Sequence, residues 1–198
     1  MQLPSVADDA QFDALMADPD QVARCLEYAA TALGVAPVST PVRGSALIGL
    51  SESSVIKLMA PFDNQLASVE QVCLRTLHGA LPVATPRLID SGTLDGWSYV
   101  HMTRLPGVEL KECWPTLGSR HKLSIATQLG ECLPILHQLP APAEIPRCDW
   151  SSWATNRVVN IEDYLRDVPP AWADVVPQVL ASADLSPGQQ GWLHTEVM

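Results

Sequence analysis

Three polar positions stand out against apolar surroundings: Lys57, Glu70 and the turn His194-Thr195-Glu196. Lysine is rare, occurring at 57, 111 and 122. Lys57 lies in Ser54-Val55-Ile56-Lys57-Leu58-Met59, where strand alternation puts Val55, Lys57 and Met59 on one face and Ile56 and Leu58 on the other. Both faces are otherwise apolar. An ammonium there either lies on an edge strand and follows its own stem out to water, or it needs a counter-charge, because unpaired burial is costly. Glu70 offers that counter-charge. Leu66, Glu70, Cys73, Leu74 and Leu77 recur at helical spacing, which places Glu70 within an apolar stripe; its other reading is an exposed flank position, the usual place for Glu. A strand lysine held by a helix glutamate is ready for phosphate oxygens. Near the end of the sequence, Trp192-Leu193 followed by His194-Thr195-Glu196 reads as an apolar strand delivering a polar turn, or simply as a surface turn.

The elements that must position these groups follow from punctuation and periodicity. Asp8 to Ala17 forms one short helix, and Asp18-Pro19 is an N-cap followed by Pro at the first helical position. Val22, Leu26, Ala29 and Leu33 make the apolar stripe of this second helix, and Gly34 suits its C-terminal cap. Val38–Val42, Ala46–Leu50 and Val55–Met59 read as three short strands. A helix follows from Asp63 to His78, closed by Gly79. Strands over Arg87–Asp90 and Trp97–Thr103 come next, separated by Ser91-Gly92-Thr93 and Asp95-Gly96. Leu105-Pro106-Gly107 is a short connector. Helices are expected over Ser119–His137, Asn160–Leu165 and Ala171–Ala181, with Pro134 kinking or shortening the first. Leu139-Pro140-Ala141-Pro142-Ala143-Glu144-Ile145-Pro146-Arg147 reads as a linker. A strand-rich half followed by a helical half makes the chain α+β with two lobes.

Composition bounds the function class. The chain has 198 residues, a net charge of −10, 47% hydrophobic residues and only 17% charged ones, enough for a real core. Such an acidic chain is a poor partner for nucleic acid. No apolar run approaches a membrane span. The first residues, MQLPSVADDAQF, carry neither the basic nor the apolar region of a secretory signal. Cys25, Cys73, Cys113, Cys132 and Cys148 are odd in number and widely spaced, with no CxxC pair. That argues against a disulfide framework or a zinc site and for small apolar residues in a reducing cytoplasm. Trp150, Trp153 and Trp172 line a pocket or pack the helical half.

Taken together, the segments resemble the aminoglycoside phosphotransferase family, which has a protein-kinase-like fold. The likeness runs from about Val38 to Met198. Gly44-Ser45-Ala46-Leu47-Ile48-Gly49-Leu50 resembles the first hairpin, Val55-Ile56-Lys57-Leu58 the strand with the nucleotide lysine, and Val69-Glu70-Gln71-Val72-Cys73-Leu74 the helix with its glutamate. Gly96 to Gly107, ending Met102-Thr103-Arg104-Leu105-Pro106-Gly107, looks like the approach to the hinge and the hinge itself. Leu136-His137-Gln138-Leu139-Pro140 resembles the end of the long helix of the second lobe. Leu193-His194-Thr195-Glu196 resembles the start of the catalytic loop, with Glu where the family has Asp and Thr where it has Gly.

The resemblance implies a two-lobe organisation: an N-lobe of antiparallel sheet plus helix over 1–104, a hinge at 105–107, and a partial helical C-lobe over 108–198. It implies ATP- or GTP-dependent phosphorylation of a small-molecule hydroxyl in the cytoplasm, without nucleic acid or membrane. Lys57 would contact the α- and β-phosphates and Glu70 would hold it. Gly44 and Ser45 would lie over the phosphates. Backbone groups of Met102, Thr103 and Arg104 would read the base. Glu196 would orient or deprotonate the acceptor hydroxyl, with His194 shaping the loop. The charge of −10 suits a cationic acceptor. The family's Mg²⁺ ligands follow the catalytic acid, so they are expected beyond Met198. As it stands, the chain is then expected to be an inactive N-terminal fragment without measurable phosphotransfer. The alternative is a non-catalytic kinase-like module that binds a nucleotide or a partner.

Overall fold

The computed structural model describes residues 2–35, 38–42, 45–147, 149–160 and 175–182. The chain divides into two compact units, Met1–Ile145 and Pro146–Met198. The boundary falls in the proline-rich stretch that reads as a linker.

The first unit is built on a five-stranded antiparallel sheet in the order β1-β2-β3-β5-β4. Its strands are β1 (Ser39–Val42), β2 (Leu47–Leu50), β3 (Ser54–Met59), β4 (Leu88–Leu94) and β5 (Trp97–Thr103). β3 is therefore a central strand, flanked by β2 and β5. The β4–β5 turn is Asp95-Gly96, with φ of 51° and 86°, the left-handed pair that a two-residue hairpin requires. Ser91-Gly92-Thr93 does not break the strand as expected; β4 continues through it to Leu94. Gly92 is there for space rather than for a turn. A Cβ on it would lie 3.0 Å from the Tyr99 ring, opposite which it pairs.

Both faces of the sheet are covered, by different helices. On one face, α1 (Asp9–Met16) and α2 (Pro19–Ala32) bury Phe12, Leu15, Val22, Cys25 and Leu26 against Leu47, Ile56, Leu58, Trp97 and Tyr99. The Asp8 carboxylate accepts from the Gln11 amide at 2.9 Å and that of Asp18 from Gln21 at 3.0 Å, so both helices begin where their caps predict. Gly34, at φ +64°, closes α2. On the other face, α3 (Asn64–Leu77) packs Ala67 and Leu74 against Met59, Val100 and Met102. A 3₁₀ turn, Pro61–Asp63, leads into α3. The apolar stripe of α3 is rotated from the expected one. Leu66 is 49% exposed, whereas Ala67 is 1% exposed. The small Ala67 side chain lets the helix lie close to the sheet, and Glu70 and Leu74 follow on the same side.

Beyond β5 come the short α4 (Leu110–Cys113) and the long α5 (Ser119–Gln138). Pro134 does not shorten α5, which runs on to Gln138. Both Pro134 and Gly130 are exposed, so the carbonyl that loses its partner can turn to water. The second unit contains α6 (Trp150–Val159) and α7 (Val175–Ser182). α6 was not expected from its polar Ser151, Ser152, Thr155 and Asn156. It is started by Asp149, whose carboxylate accepts from the Ser152 amide at 3.3 Å and its hydroxyl at 2.7 Å. α7 overlaps the end of the helix expected over Ala171–Ala181. All but the first residue of the helix expected over Asn160–Leu165 lies outside the described residues. Among the described residues no helix is long and apolar enough to cross a membrane.

Gly49 tests the seam between α2 and β2. A Cβ added there would lie 3.0 Å from Val38 and 3.2 Å from Leu26. Gly49→Val should therefore lower unfolding stability by about 1–3 kcal/mol through overpacking, measured by urea titration. Gly118→Ala, where nothing lies within 4 Å, should leave the midpoint nearly unchanged.

Candidate functional site

Lys57 lies in the middle of β3, paired across the ladder with Ile48 of β2 and Val100 of β5. Its side chain shares a face with Val55 and Met59, toward α3, as strand alternation requires. The Nζ reaches the Glu70 Oε1 at 2.5 Å, and the two side chains keep 29% and 24% exposure. Among the described residues this is the only ion pair. Neither bland reading survives: β3 is not an edge strand, and Glu70 is turned to the sheet.

The helix that carries Glu70 is fixed at its start as well as along its side. The Ser98 hydroxyl, 7% exposed, donates to the Asn64 Oδ1 at 2.7 Å. Ala67 then seats the first turn. Glu70 is six residues beyond Asn64, roughly 9 Å along the axis, which brings it level with Lys57. The reading from sequence alone did not find Ser98 or Asn64. Their one visible sign is a hydroxyl in an otherwise apolar strand, Trp97-Ser98-Tyr99-Val100, on the same face as Val100 and Met102.

Ile48 and Val55, both half-buried, lie on the Lys57 face. They offer an apolar surface between the lysine and the connector that follows β5. At the connector end, Met102 is 5% exposed. The Thr103 amide donates to the Arg87 carbonyl at 2.9 Å, and the Arg104 amide donates to the Ser53 carbonyl at 2.9 Å. The Arg104 guanidinium also donates to the Ser51 carbonyl at 2.7 Å. Two of the amides expected to read a base are thus committed, that of Thr103 to the residue before β4 and that of Arg104 to the β2–β3 turn. Among the described residues the next amide, Leu105, has no hydrogen-bond partner, and it is the nearest donor left for a ligand. Ser45 is exposed in the bend before β2. Gly44, His194 and Glu196 lie outside the described residues.

Two titratable groups are shifted, Cys73 on α3 and His101 on the opposite face of β5. Burial, followed by the Glu70 charge, pushes the Cys73 thiol up, which disfavours a thiolate one turn from the ion pair. Burial holds the His101 imidazole below its ordinary value, against a smaller opposing effect of Asp90. Its Nε2 has no hydrogen-bond partner. Among the described residues no group of three or more His, Cys, Asp and Glu side chains could hold a metal ion.

The order of parts is now complete: a central strand with its lysine, a helix with its glutamate, then a strand leading to a connector. A model of the phosphotransferase enzyme family matches residues 55–198, from the lysine strand onward. The chain belongs to the phosphotransferase enzyme family. Among solved structures, the GDP and kanamycin complex of APH(2")-IIia superposes with a TM-score of 0.58 at 17% identity, covering 79% of this chain and 58% of that one. The streptomycin-ATP-APH(2")-IIa ternary complex superposes with a TM-score of 0.52 at 13% identity, covering 80% and 57%. At these identities the likeness is one of fold, and it agrees with the α+β, protein-kinase-like architecture expected from the sequence. This phosphotransferase-family chain spans less than three fifths of the length of those neighbours. No curated protein matches it in sequence.

Two outcomes follow for this member of the family. A double-mutant cycle with Lys57→Met and Glu70→Gln, read by chemical denaturation, should give a favourable coupling between about 0.5 and 3 kcal/mol; additive changes would mean the ion pair contributes nothing. For His101, the folded chain holds the proton less tightly than the unfolded chain, whose ordinary value is 6.5. Its contribution is therefore constant above that pH and turns unfavourable as pH falls through 6.5 toward the lower folded value. Thermal midpoints of the wild type should fall more between pH 7 and 5.5 than those of His101→Gln.

Proposed function

We propose that this chain binds ATP or GTP on the Lys57 face of the sheet and serves transfer of the terminal phosphoryl group to a hydroxyl of a small cationic molecule. The observation that carries this reading is the Lys57–Glu70 ion pair on a face that is otherwise apolar. A counter-charged lysine that keeps 29% exposure has an ammonium hydrogen still free to point at phosphate oxygens, while Glu70 holds its direction. Phosphoryl transfer asks chiefly for positioning and charge neutralisation, and such a lysine supplies both at the α- and β-phosphates.

The remaining roles follow from their places along the sheet. Ile48 and Val55 support the flat base from above. The Leu105 amide, rather than those of Thr103 and Arg104, donates to the base edge, with a carbonyl of Met102–Arg104 as its partner acceptor. Gly44 and Ser45 lie over the phosphates. Glu196 serves as the residue facing the acceptor hydroxyl, with His194 beside it in the loop. In this reading residues 1–104 form the N-lobe, 105–107 the hinge and 108–198 part of the helical lobe. The family model and the fold neighbours, whose complexes hold kanamycin with GDP and streptomycin with ATP, support a nucleotide donor and an aminoglycoside-like acceptor. A charge of −10 attracts such a polycation. Phosphorylating an aminoglycoside in the cytoplasm, where the nucleotide is plentiful, is a resistance reaction.

Thermal-shift titration tests the nucleotide half. ATP or GTP should stabilise the chain by about 2.7 kcal/mol at a hundredfold excess over Kd, and Lys57→Ala should weaken that affinity at least tenfold. An unchanged midpoint with both nucleotides, or equal affinity in Lys57→Ala, would sink the reading.

A further inference from the structure

The family match begins at residue 55, so it does not account for α1, α2 and the segment before them. That region is not a loose appendage. Leu3 and Val6 are 5% and 4% exposed. The Leu3 amide donates to the Asp95 carboxylate at 3.0 Å, and the Trp97 indole N–H donates to the Pro4 carbonyl at 2.8 Å. These two bonds tie the first residues to the β4–β5 turn, far from the hinge.

One residue of this cap reaches across to the helix that carries the glutamate. Phe12, 7% exposed on α1, packs against Trp97 with ring centroids 6.3 Å apart and meets Phe62 edge-on at 6.5 Å and 78°. Phe62 belongs to the 3₁₀ turn Pro61–Asp63, which runs directly into Asn64 and α3. Trp97 directly precedes Ser98, whose hydroxyl holds Asn64. Phe12 therefore touches the residue before each member of the hydrogen bond that starts α3, or its near neighbour in sequence. Phe62 keeps 37% exposure, and the edge contact with Phe12 lies on the inner side of the turn. A displaced helix start moves Glu70 along and across the face on which it meets Lys57 at 2.5 Å.

We propose that the N-terminal cap is a positioning device for the phosphate-binding lysine: Phe12 sets Phe62, Phe62 sets the start of α3, and α3 sets Glu70 against Lys57. Phe12 and Phe62 are positioning residues, since neither touches the ion pair. The value of this device to nucleotide binding rests on the function proposed above; the mechanical link itself does not.

The experiment separates the two. The Lys57→Met/Glu70→Gln cycle is measured in the wild type, in Phe62→Ala and in Phe62→Tyr, with no nucleotide present. Phe62 is more than a third exposed and lies in a short turn, so Phe62→Ala is expected to fold. The proposal expects the coupling factor on the unfolding constant to fall toward 1 in Phe62→Ala and to return in Phe62→Tyr. A purely structural role would lower stability and leave that factor unchanged, which would overturn the proposal. ATP and GTP affinities are then measured by the same thermal-shift method. Phe62→Ala should weaken the nucleotide that binds about tenfold in the wild-type background and hardly at all in Lys57→Ala. Equal weakening in both backgrounds would also overturn it. A wild type that binds neither nucleotide would refute the proposed function, while the nucleotide-free cycle would still decide the mechanical link.

Discussion

An ammonium group on the inner face of a central strand requires a counter-charge that the strand cannot supply. Lys57 has Ile48 and Val100 beside it across the ladder and Val55 and Met59 along its own strand, none of which carries a counter-charge. The carboxylate must come from another layer, and it must arrive at one height. Much of the architecture on this face serves that requirement. Ala67 keeps the helix close, the Ser98–Asn64 bond sets its start, and Leu74 seats its far half. A buried pair adds little net stability, because desolvation offsets attraction. Retaining one here makes sense as a way to hold a charge in a chosen direction.

The two faces of the sheet divide the work. The face under α1 and α2 is closely packed, to the point that Gly49 has no room for a side chain. It contains Leu47, Ile56 and Leu58 at 0% exposure. The α3 face is looser toward the connector after β5, where Ile48 and Val55 stay half-buried. A sheet rigid on one side can present partly open positions on the other without losing its register. In that sense the N-terminal cap contributes to the site by covering the back of it.

What was legible in the sequence follows the same division. Lys57 and Glu70 could be read because each breaks an apolar pattern, and a broken pattern is visible without a structure. The cap Asp18, Gly34 and the Asp95-Gly96 turn could be read because their chemistry is local. The errors came where a residue had a distant reason. Gly92 looked like a turn residue and is a space for the Tyr99 ring. Leu66 looked like core and is exposed, because Ala67, the less conspicuous residue, is the one that touches the sheet. α6 was hidden by its serines, although Asp149 is an ordinary cap for it. Ser98 and Asn64 were not foreseen, since nothing local distinguishes a hydroxyl that reaches another element from one that meets water. Gly44, His194 and Glu196 lie outside the described residues, so their roles rest on the resemblance and on the family to which the chain belongs.

The register between β3 and β5 sets how far the lysine lies from the connector. Lys57 pairs with Val100, and Ser54 pairs with Thr103. Three residues of strand separate the two ends, about 10 Å at the usual rise. Side chains at Val55 and Met102 alternate onto the same face between them. The β2–β3 turn then locks the connector end, with Ser51 and Ser54 bonded to each other and Ser51 and Ser53 accepting from Arg104. The Arg104 amide is consumed there and that of Thr103 by the Arg87 carbonyl, which leaves that of Leu105 free, and Pro106 has no amide hydrogen to compete with it. Antiparallel pairing thus does more than build a wall. It sets the distance between a hydrogen-bonding edge and a fixed positive charge, and the helix glutamate sets the direction in which that charge points.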